Sequence, residues 1–276
     1  MPELPEVETV VRELRPLLIG RRITGVSATA MAPRLRLCWD PAWEAAVTGR
    51  SFSGVRRRGK WLLLDFAGGG SLLGHLGMSG QLTIVPAATE RDAHAHLEFR
   101  LSDRTGNLRY RDPRRFGGLR FVESESVIQT YLAERLGPEP WDLDLAAWHL
   151  SLKASKRPLK ALLLDQTVVA GVGNIYADEA LHRAKLAPTQ KGSETTRGQV
   201  NRLRAAIVAV LERAIKARGT TFDTGYVGGG FQNKLRVYGR TGEPCRACRT
   251  EVACIRLAGR STHYCPKCQI KASGRK

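Results

Sequence analysis

Four cysteines fall into two pairs, Cys245-x2-Cys248 and Cys265-x2-Cys268, with sixteen residues between the pairs. Two such knuckles close one tetrahedral four-thiolate site, and the spacing predicts one bound Zn²⁺. A zinc ion with four cysteine ligands has no open coordination position, so its role is structural. Free thiols are the competing reading, and the regular spacing speaks against it. Cys38 and Cys254 remain and are expected to be packing thiols. Pro2 is a second group with chemistry of its own. A small second residue normally allows Met1 to be removed, and the exposed group is then a secondary amine. An α-amino group titrates near ~8 against ~10.4 for lysine, so far more of it is an unprotonated nucleophile at neutral pH. An amine of this kind attacks an electrophilic carbon to give an imine. Glu3 is the nearest acid, although a helix opening with acids to suit its dipole accounts equally well for Glu3, Glu6 and Glu8.

A third group is the turn Val169-Ala170-Gly171-Val172-Gly173-Asn174-Ile175-Tyr176, where two glycines precede a helical pattern. The opening N–H groups and dipole of such a helix favour a phosphate. A plain tight turn is the competing reading. Lys156, Arg157 and Lys160, read as lying on the preceding helix, favour the anion, and a helix-turn-helix contacting backbone phosphate fits the pattern.

These groups need elements to hold them. Val7, Val10, Val11, Leu14, Leu17 and Leu18 form one helical stripe over Glu3 to Leu18, with Gly20 placed to end it. From Arg22 to Val122, short β-type runs such as KWLLLDF and HLEFRL alternate with GGGS, SDRTGN and DPRRFGG, which predicts an antiparallel sandwich or barrel. Leu136-Gly137-Pro138-Glu139-Pro140 reads as a linker. Helical periodicity follows over Leu159 to Leu164, Ile175 to His182 and Thr195 to Ala217, and the tail returns to short strands around the cysteines. Ala258-Gly259-Arg260-Ser261-Thr262 reads as a hairpin tip carrying Arg260. The expected fold class is α+β, with a sandwich domain over 1–135, a linker over 136–144, a helical domain over 145–232 and a zinc finger over 233–276.

Charge sets the partner class. Lys and Arg number 44 against 26 Asp and Glu, a formal +18. Half of that surplus lies from Lys234 onward, where eleven Lys or Arg face two Glu, a local +9 in 43 residues. Arg56, Arg57, Arg58 and Lys60 form another cluster, as do Arg109, Arg111, Arg114, Arg115 and Arg120. A polyanion, nucleic acid by default, is the expected partner. No run reaches the roughly 18 apolar residues of a membrane span. The opening MPELPEVETV has acids where a signal peptide has a basic leader, so a cytosolic protein is expected.

Six blocks then align with one known pattern: PELPEVET, HLGMSG at 75–80, DPRRFGG at 112–118, GVGNIYADE at 171–179, VYGRTGEPC at 237–245 and GRSTHYCPKCQ at 259–269. In this order they resemble the formamidopyrimidine-DNA glycosylase family, the bacterial 8-oxoguanine glycosylases. The resemblance implies a helix-two-turn-helix, a β-hairpin zinc finger, and base excision with β,δ-elimination on damaged double-stranded DNA. It implies roles residue by residue. Pro2 resembles the Schiff-base nucleophile and Glu3 the acid assisting sugar opening; Lys60 and Arg260 resemble the groups serving β- and δ-elimination. Met78, Arg114 and Phe116 resemble the side chains that fill the void left by a flipped nucleotide, while His94, Lys160 and Asn174 resemble DNA-backbone contacts. The segment from Thr220 to Gly230 is shorter than the resemblance implies and glycine-rich, which leaves the preferred lesion open. An endonuclease VIII-like enzyme for oxidised pyrimidines is an alternative, although its start typically reads PEGPE. A non-catalytic zinc-dependent DNA-binding protein is another, and Pro2, Glu3 and Lys60 are the residues it would not need. A monomer is expected.

Overall fold

The computed structural model describes residues 1–103, 106–221 and 229–270. The chain forms two compact units, residues 1–134 with 218–229, and residues 135–217 with 230–276.

The first unit opens with α1 (Leu4–Leu18), which carries Pro5 in its first turn and buries Val7, Val10, Val11, Leu14 and Leu18 on one stripe. Gly20, at φ +84°, follows its end. In chain order come β1 (Ile23–Ala28), α2 (Trp43–Val47), β2 (Phe52–Arg58), β3 (Trp61–Phe66), β4 (Ser71–His75), β5 (Gln81–Val85), β6 (Ala95–Leu101), β7 (Asn107–Arg111), β8 (Gly118–Val122) and α3 (Glu125–Ala133). Two four-stranded antiparallel sheets result, in the orders β1-β6-β7-β5 and β2-β3-β4-β8. One core joins them: Leu62, Leu64 and Leu72 from one sheet, Leu82, Leu97, Phe99, Leu108 and Tyr110 from the other, and the stripe of α1. The predicted sandwich with a leading helix is thus the observed one.

The second unit contains α4 (Leu145–Lys153), α5 (Leu159–Leu164), α6 (Asn174–Ala184), α7 (Arg197–Lys216), β9 (Ala253–Leu257) and β10 (Arg260–Tyr264). Caps fix the helix starts. Asp144 accepts from the N–H groups of Ala146 and Ala147 at 2.8 and 3.1 Å, and Thr196 and Gln199 close a reciprocal capping box on α7. Helix α7 buries Val200, Leu203, Ile207, Val210, Leu211 and Ala214, and α6 packs against α5, α7 and β10. Strands β9 and β10 pair antiparallel around Ala258 and Gly259, both at positive φ, so Arg260 is the first residue after the tip. Among the described residues no helix is long and apolar enough to cross a membrane.

Candidate functional site

The chain's opening residues are held by a buried carboxylate. Glu6 Oε2 accepts from the N–H of Glu3 at 2.9 Å, and its Oε1 accepts from the N–H and hydroxyl of Thr220 at 2.8 and 3.1 Å. Pro2 is buried, and Glu3 is 2 % exposed. Gly219, at φ +73°, abuts Glu6 so closely that a Cβ there would lie 2.7 Å from Oε1. The start of α1 is therefore a fixed element.

Lys60 occupies the two-residue turn between β2 and β3 with Gly59, whose φ of +57° suits the first position of a type II′ turn. Helix α1 packs on this hairpin, and Glu8 accepts from Arg57 Nε at 3.0 Å. The hairpin end carrying Lys60 is thereby tied to the first half of α1. Next to it lies His75, whose Nδ1 accepts from the N–H of Gly77 at 2.9 Å, leaving the ring proton on Nε2. Burial, together with the charges of Lys60 and Arg36, pushes its pKa down to about 4, so the imidazole is neutral at pH 7.

Met78 is half-buried, and Arg114 and Phe116 are exposed, Phe116 at 43 %. The Arg114 guanidinium stands 4.8 Å over the Phe116 ring. A large exposed aromatic beside an arginine, on a loop backed by a sheet, can enter a stack of planar rings. His94 is exposed, and its N–H donates to Asp92 at 2.7 Å.

In the second unit the glycine turn runs into α6 as the spacing predicts. Gly171 takes φ +90°. Gln166 staples the turn, accepting from Gly171 N–H at 3.0 Å and donating to Val172 O at 2.9 Å. Asn174 donates from Nδ2 to Ser261 O at 3.1 Å, which ties the turn to the hairpin beside exposed Arg260. Its buried Oδ1 has no partner among the described residues.

Lys160 is a correction. The sequence suggested a phosphate contact, but the side chain is fully buried, with Nζ 2.5 Å from Asp178 Oδ1 and 2.9 Å from Asn174 O. Its charge is spent inside the unit, where it holds the turn from beneath. Lys156 and Arg157 are corrected too, since they precede α5 rather than lie on it. Asp178 also accepts from His263 N–H at 2.9 Å. Glu179 accepts from the N–H groups of Arg236, Val237 and Tyr238 at 2.9–3.0 Å; burial pushes its pKa up and these donors oppose the shift.

The sulfurs of Cys245, Cys248, Cys265 and Cys268 all lie within 4.8 Å of one another. Cys245–Cys268 and Cys248–Cys265 are 4.0 and 3.4 Å apart, which brackets the edge of about 3.8 Å for a tetrahedron of thiolates at zinc distance. Amides of Ala247 and Cys268 donate to Cys245 and Cys265 sulfurs at 3.4 Å. Gln269 braces the second knuckle, accepting from Cys265 N–H at 2.8 Å and donating to Leu186 O at 3.0 Å. The donor set fits a closed metal site. Cys38 and Cys254 are exposed, so the expectation of packing thiols fails for both.

Ser79, Asp112, Gln166, Asp178 and Glu179 also belong to these arrangements, without residue spacing of their own that points to them. All but Gln166 stand inside the matched motifs, and that was their only signal. The short segment from Thr220 to Gly230 consists mostly of residues 222–228, which lie outside the described residues.

Three family models match the chain: the formamidopyrimidine-DNA glycosylase N-terminal domain over residues 1–119, the H2TH domain of the same proteins over 136–225, and the zinc finger found in FPG and IleRS over 242–270. The formamidopyrimidine-DNA glycosylase of Desulfitobacterium hafniense is 41 % identical, and that of Herpetosiphon aurantiacus 42 %, each matching over 98 % of this chain and 100 % of the relative. A crystal structure of the Lactococcus lactis Fpg with abasic-site DNA superposes with a TM-score of 0.91 at 38 % identity, and MutM with carbocyclic 8-oxo-G DNA at 0.90 and 36 %. The first match covers 98 % of this chain and all of the other, as does the second. Fold and site thus define a DNA glycosylase of base excision repair. Within that class, the chain belongs to the formamidopyrimidine-DNA glycosylase family.

Proposed function

We propose that the protein excises oxidised purines, 8-oxoguanine and formamidopyrimidines, from double-stranded DNA and then cleaves the strand by β,δ-elimination. The observation that carries this reading is Pro2, seated with Glu3 at the head of a helix whose start Glu6 fixes. With Met1 removed, the Pro2 amine attacks C1′ of the damaged nucleotide and the base departs with its bonding electrons. Glu3 assists opening of the sugar, and the product is an iminium that needs no proton to remain cationic. The iminium acidifies the C2′ hydrogen; loss of that proton expels the 3′ phosphate, and a second elimination expels the 5′ phosphate. Lys60 and Arg260 serve these two steps.

A stacked nucleotide hides C1′, so it must be rotated out and its place filled. Met78, Arg114 and Phe116 fill it, the arginine donating to the orphaned base and the ring offsetting lost stacking. His94, Asn174 and the glycine turn hold phosphates. The four cysteines hold one structural Zn²⁺, which keeps Arg260 and its hairpin folded. The protein acts as a cytosolic monomer.

The test is product analysis on two duplexes, one carrying 8-oxoguanine and the other an oxidised pyrimidine. Release of free 8-oxoguanine with strand cleavage is expected. Release of the pyrimidine alone contradicts the substrate class, and binding without any release contradicts catalysis.

A further inference from the structure

Met78, Arg114 and Phe116 sit on separate loops, 76–80 and 112–117, and one carboxylate joins those loops. Asp112 is fully buried. Its Oδ1 accepts from Ser79 Oγ at 2.6 Å and from Arg114 N–H at 3.2 Å. Its Oδ2 accepts from Gly117 N–H at 2.9 Å and from the Tyr110 hydroxyl at 3.2 Å. The Asp112 carbonyl accepts from His96 Nε2 at 3.0 Å, which anchors the knot to β6. Burial and the neighbouring Asp112 raise the Tyr110 pKa well above its ordinary value, so that hydroxyl remains a donor.

The backbones interlock as closely as the side chain suggests. A Cβ on Gly77 would lie 2.4 Å from Phe116 C, and one on Gly117 would lie 2.1 Å from His75 O. Between Arg114 and Phe116, Arg115 is held at φ +57°, a left-handed conformation uncommon for a non-glycine residue. The Asp112 knot flanks it, bonding the amides of Arg114 and Gly117 on either side.

We propose that Asp112 is a positioning residue for duplex opening: it locks the two loops into one platform, so that Met78, Arg114 and Phe116 enter the stack already at fixed spacing. This rests on the void-filling role given to those three side chains above. Without the lock, each loop residue would have to be ordered during insertion, at the cost of its conformational entropy. A carboxylate suits this position because both of its oxygens receive donors. Asparagine offers one acceptor oxygen and turns an NH₂ toward either the Gly117–Tyr110 side or the Ser79–Arg114 side.

The test uses Asp112→Asn and the milder Ser79→Ala in the full chain, on two substrates. The first is an intact duplex containing 8-oxoguanine, which must be opened. The second is a single-stranded oligonucleotide with an aldehydic abasic site, which needs no opening and reports on the amine through borohydride trapping. Asp112→Asn is expected to slow excision from the duplex at least about tenfold, the factor for losing a hydrogen bond to a charged acceptor. Trapping on the single strand should stay within about twofold of the parent protein, since a change in positioning leaves the amine itself untouched. Ser79→Ala, which removes only one donor, should show the same split in smaller measure and keeps the test valid if Asp112→Asn does not fold. Equal losses on both substrates, or undiminished excision from the duplex in the folded variants, would overturn the proposal. Failure of the parent protein to trap on either substrate would instead overturn the amine mechanism, and with it the premise of this inference.

Discussion

Two knots, one in each unit, use a buried aspartate from a sequence motif to fasten separate segments, and they differ in what the aspartate faces. Asp112 accepts from two hydroxyls and two amides, all uncharged. Asp178 faces a buried ammonium, Lys160, as well as the amide of His263. Uncharged donors from two loops and a strand make a surface whose exposed side chains are free to act. A buried ion pair makes a joint that holds only while both charges are present, because removing one strands the other in a low-dielectric interior. The first arrangement suits a working face, the second an internal brace.

Loss of the metal is the harshest way to probe the second unit. Chelation, or Cys265→Ser, should unfold the hairpin bearing Arg260, since structural zinc contributes on the order of 10 kcal/mol of folding free energy in small modules. Circular dichroism and DNA binding should both fall. An unchanged hairpin in metal-free protein would remove zinc from the account.

Breaking the ion pair comes next. Lys160→Ala should lower stability by about 3–5 kcal/mol in urea titrations, the usual cost of orphaning a buried charge. Replacing Lys160 and Asp178 together with apolar residues should cost much less. The salt dependence of DNA binding by the folded Lys160→Ala protein should match the parent, because the Lys160 ammonium is buried against Asp178. A variant as stable as the parent but with a flatter salt slope would reverse the assignment of brace and interface.

Phe116→Ala should act only on the working face. It should leave the salt slope alone and reduce discrimination between damaged and undamaged duplex, by up to a few kcal/mol per opened step. A flatter slope would mean that the ring region carries phosphate contacts instead.

The smallest effect expected is on pH. His75, with its pKa pushed down to about 4 from 6.5, binds its proton less readily folded than unfolded. Unfolding therefore takes up a proton between those values. Stability is full above pH 6.5 and falls as pH drops toward about 4. His96, lowered chiefly by burial, adds in the same direction. Thermal melts from pH 7 to 4.5 should show the decline, and His75→Gln should flatten it; an unaltered profile would show that His75 is not held neutral.

Much of this was legible from residue spacing. The stripe of α1 and the cysteine pairs repeat at intervals fixed by helix geometry and by tetrahedral coordination. Helix α4 was not legible, because it buries only Trp148 and Leu152 and so lacks an apolar period. Its one signal was Asp144 at the cap. Lys160 misled for a different reason. Sequence shows a charge but not its burial, and a lysine near a glycine turn looks the same whether it reaches outward to a phosphate or inward to Asp178. Asp112 escaped because its partners, Ser79 and His96, come from distant strands and loops that only the paired sheets bring together.

In the proposed mechanism the chemistry runs through the N-terminal amine. Borohydride reduction of the protein on abasic-site duplex, followed by digestion and mass spectrometry of the cross-linked peptide, tests it directly. A single adduct is expected on the α-nitrogen of Pro2, with Met1 absent, and none in a variant whose Met1 is retained. An adduct on Lys60 or any other internal lysine, with Pro2 unmodified, would contradict it.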